Sequence, residues 1–349
     1  MAKPLEQLPV PLLAWFGEHA RTLPWRDDPT PYHVWVSEIM LQQTRVAAVL
    51  GYYERFMEAV PTVADLACLP EDQLMKLWQG LGYYNRARNL QKAARQIMDA
   101  FGGEFPQRYE DIRTLAGVGD YTAGAIASIA FGQPVPAVDG NVLRVVSRIN
   151  GDDSDIGRSA TKERVRAQLE QIIPVHSASR FNQAVMDLGA MVCLPNGAPL
   201  CDRCPAGEFC RARLEGRTDT LPVKAPKKER RVEERVVFLI VRDGQVALRR
   251  RPEKGLLAGL WEFPNEIAPA RTALEQWGIV PQAVRRAGTG KHIFSHIEWH
   301  MAAQVVLVED DRLPFGWVWA DRGELERQYA VPNAFRAFEQ TVKERLGYF

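Results

Sequence analysis

Leu115-Ala116-Gly117-Val118-Gly119-Asp120-Tyr121 lies between two stretches whose apolar residues recur at helical spacing. Two glycines at that interval permit a tight turn whose backbone N–H groups, ending at a helix N-terminus, can face a phosphate without side-chain obstruction. Read alone, the stretch is equally a helix-joining turn with glycine as C-cap. Its neighbours decide between the two.

Helical spacing also runs through Tyr32 to Val60, Leu74 to Phe101, Tyr121 to Phe131, Val142 to Ile149 and Thr161 to Ile173, so the first 215 residues are expected to be all-helical. The pattern lapses between Gly216 and Glu234 into Thr, Pro and a basic run with Lys224, Lys227, Lys228, Arg230 and Arg231, which reads as a linker. Beyond it, Val236 to Val241 and Val246 to Arg250 flank Asp243-Gly244, a hairpin signal, and Ile293 to Val308 alternates β-branched and aromatic residues. With short helices expected near Arg271 to Trp277 and Asn333 to Leu346, the second part reads as α+β. The expected division is 1–215, linker 216–234 and 235–349.

Composition sets the outer limits. Of 349 residues, 46% are hydrophobic and 25% charged, enough apolar side chain for two cores and against general disorder. Met1 to Pro11 lacks the features of a secretory signal, and no long apolar run appears, so a cytosolic chain without membrane attachment is expected. The net charge of +1 means that any nucleic-acid surface must come from local clustering of Lys and Arg.

Four of the five cysteines, Cys193, Cys201, Cys204 and Cys210, fall within 18 residues as C-x7-C-x2-C-x5-C. In a reducing compartment this cluster reads as an iron-sulfur or zinc site rather than two disulfides. Without a second close Cys pair a zinc ribbon is the weaker reading. Cys68, alone in a helical stretch, reads as a small core hydrophobe. Arg203, Arg211 and Arg213 beside the cluster are either phosphate contacts or solvated arginines.

Two carboxylates stand out. In Ser37-Glu38-Ile39-Met40-Leu41-Gln42-Gln43-Thr44, Glu38 lies four residues after Val34 and three before Leu41, on the apolar face of a helix. Burial there raises a carboxyl pKa and lets the neutral acid donate to a leaving group, whereas a solvated helix Glu does neither. In Val138-Asp139-Gly140-Asn141, Asp139 stands where a helix starts, as an N-cap held ionised by the helix terminus. One acid and one anion are what hydrolysis of a glycosidic bond requires.

Taken in order, SEIMLQQT, Gly80-Leu81-Gly82-Tyr83-Tyr84, the LAGVGDYT turn, VDGN and the cysteine cluster resemble the MutY family of adenine DNA glycosylases, over nearly the whole chain. The resemblance implies a helix-hairpin-helix glycosylase domain with its hairpin near 115–121, an iron-sulfur loop at 193–210 and a Nudix-like domain recognising 8-oxoguanine. It implies that Glu38 protonates adenine, that Asp139 stabilises or traps the sugar cation, and that Tyr121 and Asn141 assist. Gln43 and Tyr83 would wedge into the duplex around the lesion pair, with Gly117 and Gly119 at the phosphate backbone. The family carries one 4Fe-4S cluster, with six residues in the first gap where this chain has seven.

The related endonuclease III carries lysine where Tyr121 stands, so the resemblance implies a monofunctional enzyme without strand cleavage. In the second domain, Thr272 and Gln276 occupy positions where a Nudix box has glutamates, which disfavours pyrophosphatase chemistry. Phe294-Ser295-His296 matches the family's turn, with Ser295 as the hydrogen-bonding residue for the damaged base and His296 for support or early lesion sensing. The expected substrate is duplex DNA bearing adenine opposite 8-oxoguanine or guanine, with the target base extruded from the stack, and the expected state is a monomer. A lyase, a Nudix nucleotide hydrolase and a non-catalytic lesion-binding protein are the rival readings.

Overall fold

The computed structural model describes residues 2–226 and 229–347. The chain divides into two units, the first made of Met1–Cys68 and Arg88–Pro226, the second of Leu69–Ala87 and Lys227–Phe349. The first is helical and the second is α+β. Lys227 and Lys228 of the basic run lie outside the described residues.

Helices α1 (Pro9–His19), α2 (Pro24–Asp27) and α3 (Pro31–Leu41) each begin with proline, whose fixed φ suits a first helical turn. Thr30 caps α3 by accepting from the His33 N–H. Then follow α4 (Val46–Ala59), α5 (Val63–Cys68), α6 (Glu71–Trp78), α7 (Asn85–Ala100), α8 (Tyr109–Arg113), α9 (Asp120–Ile129), α10 (Gly140–Asn150), α11 (Ser159–Ile172), α12 (Ala178–Met191) and α13 (Arg211–Leu214). Two stretches expected as continuous helix are broken, between α3 and α4 at Gln43 (φ 59°) and between α6 and α7 at Tyr83 (φ 49°). The apolar spacing continues across both breaks, so periodicity alone does not register them.

In the first unit, α1, α10, α11 and α12 enclose a core that includes Leu12, Val142, Val146, Leu169, Phe181 and Leu188. Each such side chain contributes roughly 1.5–3 kcal/mol by leaving water. Gly117 takes φ 75°, and a Cβ there would stand 2.7 Å from Asn89 Cβ, so the turn between α8 and α9 requires glycine on both counts. Gly119 has an ordinary extended backbone and open space beside it. Cys68 is exposed, which corrects its reading as a core residue: it is the last residue of α5, which buries Leu66 and Ala67 instead.

The second unit is built on a mixed sheet of β1 (Arg231–Arg242), β2 (Gln245–Arg250), β3 (Trp261–Glu262), β4 (Asn265–Ile267), β5 (Ala283–Ile293), β6 (Ile297–Leu307) and β7 (Trp317–Ala320). Its main path runs β3-β2-β1-β6-β5, with β1 and β6 parallel. Asp243-Gly244 makes the β1–β2 hairpin, both residues at positive φ. β1 starts at Arg231, inside the stretch read as linker. Alternation along β1 puts Val237, Leu239 and Val241 in one core and Phe238 and Ile240 in another, one on each face of the sheet. The short helix α14 (Ala273–Gln276), α15 (Arg322–Arg327), a 3-10 turn at Asn333–Phe338 and α16 (Glu339–Arg345) complete the unit.

Candidate active site

The first unit contains a large cleft, and Glu38, Tyr121, Asp139 and Asn141 all line it, together with Gln43 and Gly119. Glu38 is held by α3, Tyr121 by the first turn of α9, and Asp139 and Asn141 by the start of α10. Leu23, Trp25, Val34 and Leu143 give it apolar lining; Arg166, Lys162 and Lys224 add positive charge.

Glu38 is 5% exposed. Burial pushes its carboxyl from 4.5 to about 7; the Tyr121 hydroxyl, which donates to Oε2, pulls it down, Asp139 raises it and Arg26 lowers it. The acid expected from the apolar face is thus half-protonated near neutrality. Tyr121 stays protonated, because burial and the adjacent Glu38 and Asp139 oppose its ionisation.

Asp139 caps α10, accepting from the Val142 N–H at 2.7 Å and from Asn141 Nδ2 at 2.8 Å. Burial raises its pKa, against these donors and the Arg144 charge. The ionised form expected from the sequence is therefore favoured by the cap and opposed by desolvation.

From Asp139 a chain of polar contacts runs into the cysteine region. Arg144 donates to Asn141 Oδ1 at 3.0 Å, to the Gly189 carbonyl at 2.7 Å and to the Cys193 carbonyl at 2.9 Å. One turn on, Arg148 donates to Cys193 Sγ at 3.3 Å and to the Leu194 carbonyl at 2.9 Å. Sequence reasoning missed both arginines. Their signal was two cations four residues apart inside the otherwise apolar run Val142 to Ile149. A second omission is Asp187, fully buried, which accepts from Arg21 Nη2 at 2.5 Å and from Arg26 Nη1 at 2.8 Å. Both arginines line the cleft.

Cys193, Cys201, Cys204 and Cys210 line one small cavity with Arg148 and Arg213, and all four are free thiols. Burial pushes the Cys204 thiol up to about 12, with the other three thiols raising it further, and a backbone bond to Ala206 opposing. Four sulfur donors lining one small cavity fit a thiophilic metal or an iron-sulfur cluster. Gly197, at φ 75° with open space around it, lies in the seven-residue first gap.

In the second unit, Phe294, Ser295 and His296 form the turn between β5 and β6, closed by the Phe294 N–H to the Ile297 carbonyl at 2.8 Å. The Phe294 ring packs on His292 and Trp299, while Ser295 and His296 are exposed. Tyr83, 48% exposed, places its hydroxyl 3.5 Å from Ser295 Oγ. Thr272 and Gln276 are hydrogen-bonded to each other at 3.2 Å, a neutral pair.

Residues 36–174 match the model of the HhH-GPD superfamily of base excision DNA repair proteins, and residues 236–340 match the NUDIX domain. Adenine DNA glycosylase of Homo sapiens is 37% identical over 400 residues, spanning 94% of this chain and 73% of its own length. That of Schizosaccharomyces pombe is 30% identical, over 92% of this chain and 86% of its own. Among solved structures, a trapped endonuclease III–DNA covalent intermediate is similar with a TM-score of 0.52 at 28% identity, covering 61% of this chain and 99% of that one. A thermostable thymine-DNA glycosylase gives 0.54 at 28%, covering 59% and 94%. The chain belongs to the adenine DNA glycosylase family of base excision repair, hydrolases of the N-glycosidic bond between adenine and DNA.

Proposed function

We propose that this enzyme removes adenine mispaired with 8-oxoguanine or guanine in duplex DNA, after flipping it from the stack, and leaves an abasic site without cutting the strand. The observation that carries the chemistry is the buried Glu38 carboxyl, raised to about 7 beside the Tyr121 hydroxyl and sharing its cleft with Asp139. Near neutrality Glu38 is available both as the proton donor for the departing base and as the base that later activates water. Asp139, fixed by its cap bonds, supplies negative charge for the oxocarbenium-like sugar, with Asn141 holding its Oδ2.

The exposed Gln43 and Tyr83, on left-handed backbone, are suited to enter the duplex around the lesion pair. Gly117 and Gly119 leave the turn before α9 open to a phosphate. Ser295 and His296 stand outward for the damaged base, with Phe294 as their anchor. For function the catalytic part is taken as 1–215 and the lesion-reading part as 235–349, with residues 69–87 and the β1 residues 231–234 added to the latter and the linker of 216–234 shortened accordingly.

Cys193, Cys201, Cys204 and Cys210 would hold the one 4Fe-4S cluster. When bound, it would cross-link the loop between α12 and α13, with redox capacity in addition.

The test uses purified protein on duplexes with adenine opposite 8-oxoguanine, guanine or thymine, scored for breaks before and after alkali. Breaks only after alkali, only at mispaired adenine, are expected. Breaks before alkali together with a borohydride-trapped adduct would refute the monofunctional reading and turn attention to Lys162 and Lys224 in the cleft.

A further inference from the structure

Residues 69–87 belong to the second unit, although the chain runs through the helical part on either side of them. What ties them there is a set of polar bonds to backbone carbonyls. The Lys76 ammonium donates to the carbonyls of Leu325 at 2.8 Å and Tyr329 at 3.2 Å, and to Gln79 Oε1 at 2.6 Å. Gln79 Nε2 in turn donates to the Val331 carbonyl at 2.7 Å, and Asn333 Nδ2 donates back to the Gly80 carbonyl at 3.2 Å.

Within the loop, Arg86 donates to the carbonyls of Leu81 and Gly82, and its guanidinium lies over the rings of Trp78 and Tyr83. The loop that presents Tyr83 is therefore braced internally by Arg86 and externally by Lys76 and Gln79. Its outcome is a Tyr83 hydroxyl 3.5 Å from Ser295 Oγ, two exposed groups 212 positions apart in sequence.

We propose that Lys76 and Gln79 are positioning residues for specificity: they latch the Tyr83 loop to the 325–331 carbonyls so that Tyr83 and Ser295 form one preassembled surface for the damaged guanine. This rests on the reading of Ser295 as the lesion contact. The chemistry follows from the bonds. A lysine whose donors are satisfied by fixed carbonyls holds a defined place, whereas one turned to solvent does not. Without the latch, Tyr83 and Ser295 must find each other when DNA arrives, and the ordering cost falls on binding the lesion. Guanine lacks the oxidised edge that Ser295 would address, so a mispair with guanine draws less from that surface.

The test is single-turnover adenine release from duplexes with adenine opposite 8-oxoguanine and opposite guanine, by the full chain and by Lys76→Met, Gln79→Leu and Ser295→Ala, with each single latch variant also combined with Ser295→Ala. Loss of a latch hydrogen bond is expected to lower the 8-oxoguanine-to-guanine rate ratio about tenfold, with the smaller change on guanine. In the Ser295→Ala background the same substitutions are expected to change the ratio no further, the signature of action through one surface. A latch with only a structural role slows both substrates alike or lowers Tm without moving the ratio, and either result overturns the inference. Where Lys76→Met fails to fold, Gln79→Leu carries the test alone. If the unaltered enzyme shows no preference for 8-oxoguanine, the lesion-recognition reading itself falls; if it shows one that the latch variants retain, only the latch falls.

Discussion

The Tyr121 hydroxyl donates to Oε2 of Glu38, so a residue in the first turn of α9 tempers the rise in pKa that burial gives the carboxyl on α3. That bond favours the carboxylate and opposes burial, which favours the acid. Adenine release should accordingly decline as pH rises through about 7. Tyr121→Phe removes the opposing donor, raises the Glu38 pKa further and shifts this decline to higher pH, as a pH profile of single-turnover rates will show. A shift to lower pH would refute the assigned bond.

Glu38→Gln should lower the rate by about 10² to 10⁴ while duplex binding persists, because general acid help is lost and the fold is not. It should also stabilise the protein above neutrality. The Glu38 pKa rises from 4.5 to about 7 on folding, so the native state holds the proton more tightly and stability falls as pH rises through that window. Ionising the buried carboxyl costs up to about 3 kcal/mol, which glutamine avoids. Denaturant melts at pH 5 and pH 8 should show a gain that is larger at pH 8.

Asp187 accepts from both Arg21 and Arg26 with no exposure of its own. Asp187→Ala leaves two guanidinium groups beside the cleft without their anion, and a loss of about 3–5 kcal/mol is expected. A chemical denaturation midpoint unchanged from that of the parent chain would show the triad to be dispensable.

Gly117 and Gly119 should separate in their effects. Gly117→Ala places a Cβ 2.7 Å from Asn89 on a backbone at φ 75°, and about 1–3 kcal/mol of stability should be lost. Gly119→Ala meets open space and should leave Tm alone. If the turn faces a phosphate, it should weaken duplex binding without altering preference among mispairs, read by titration at several salt concentrations.

The cysteine cavity predicts close to four irons and four sulfides per chain by elemental analysis. If the four cysteines hold a cluster, its oxidative removal should lower Tm, since the loop between α12 and α13 then loses its cross-link. Zinc in place of iron would redirect the assignment.

Much of this was legible in the sequence, for reasons that differ by residue. Glu38 could be found because burial is written in its apolar neighbours, and Asp139 because helix starts have a local signature. The breaks at Gln43 and Tyr83 were hidden, since a non-glycine residue at positive φ leaves no mark in hydrophobic spacing. The early start of β1 was hidden for another reason. Glu233 and Arg235 are charged, and the partner that lets them sit in a strand, Trp299, whose Nε1 donates to Glu233 and whose ring lies under the Arg235 guanidinium, is far along the chain. Neither the Asp187 triad nor the attachment of residues 69–87 could be read locally, because their partners lie more than a hundred positions away.

That attachment also orders events during synthesis. Lys76 and Gln79 leave the ribosome long before Leu325, Tyr329 and Val331, at bacterial-to-eukaryotic elongation rates by an interval on the order of ten seconds or more. From the emergence of Lys224 until that of Leu325 the nascent helical part has every residue that lines its cleft, while the loop bearing Tyr83 waits without acceptors for its donors. A segment made after residue 320 thus completes a structure begun before residue 80, and a chain stopped at Pro226 would have the cleft without the acceptors that hold the Tyr83 loop.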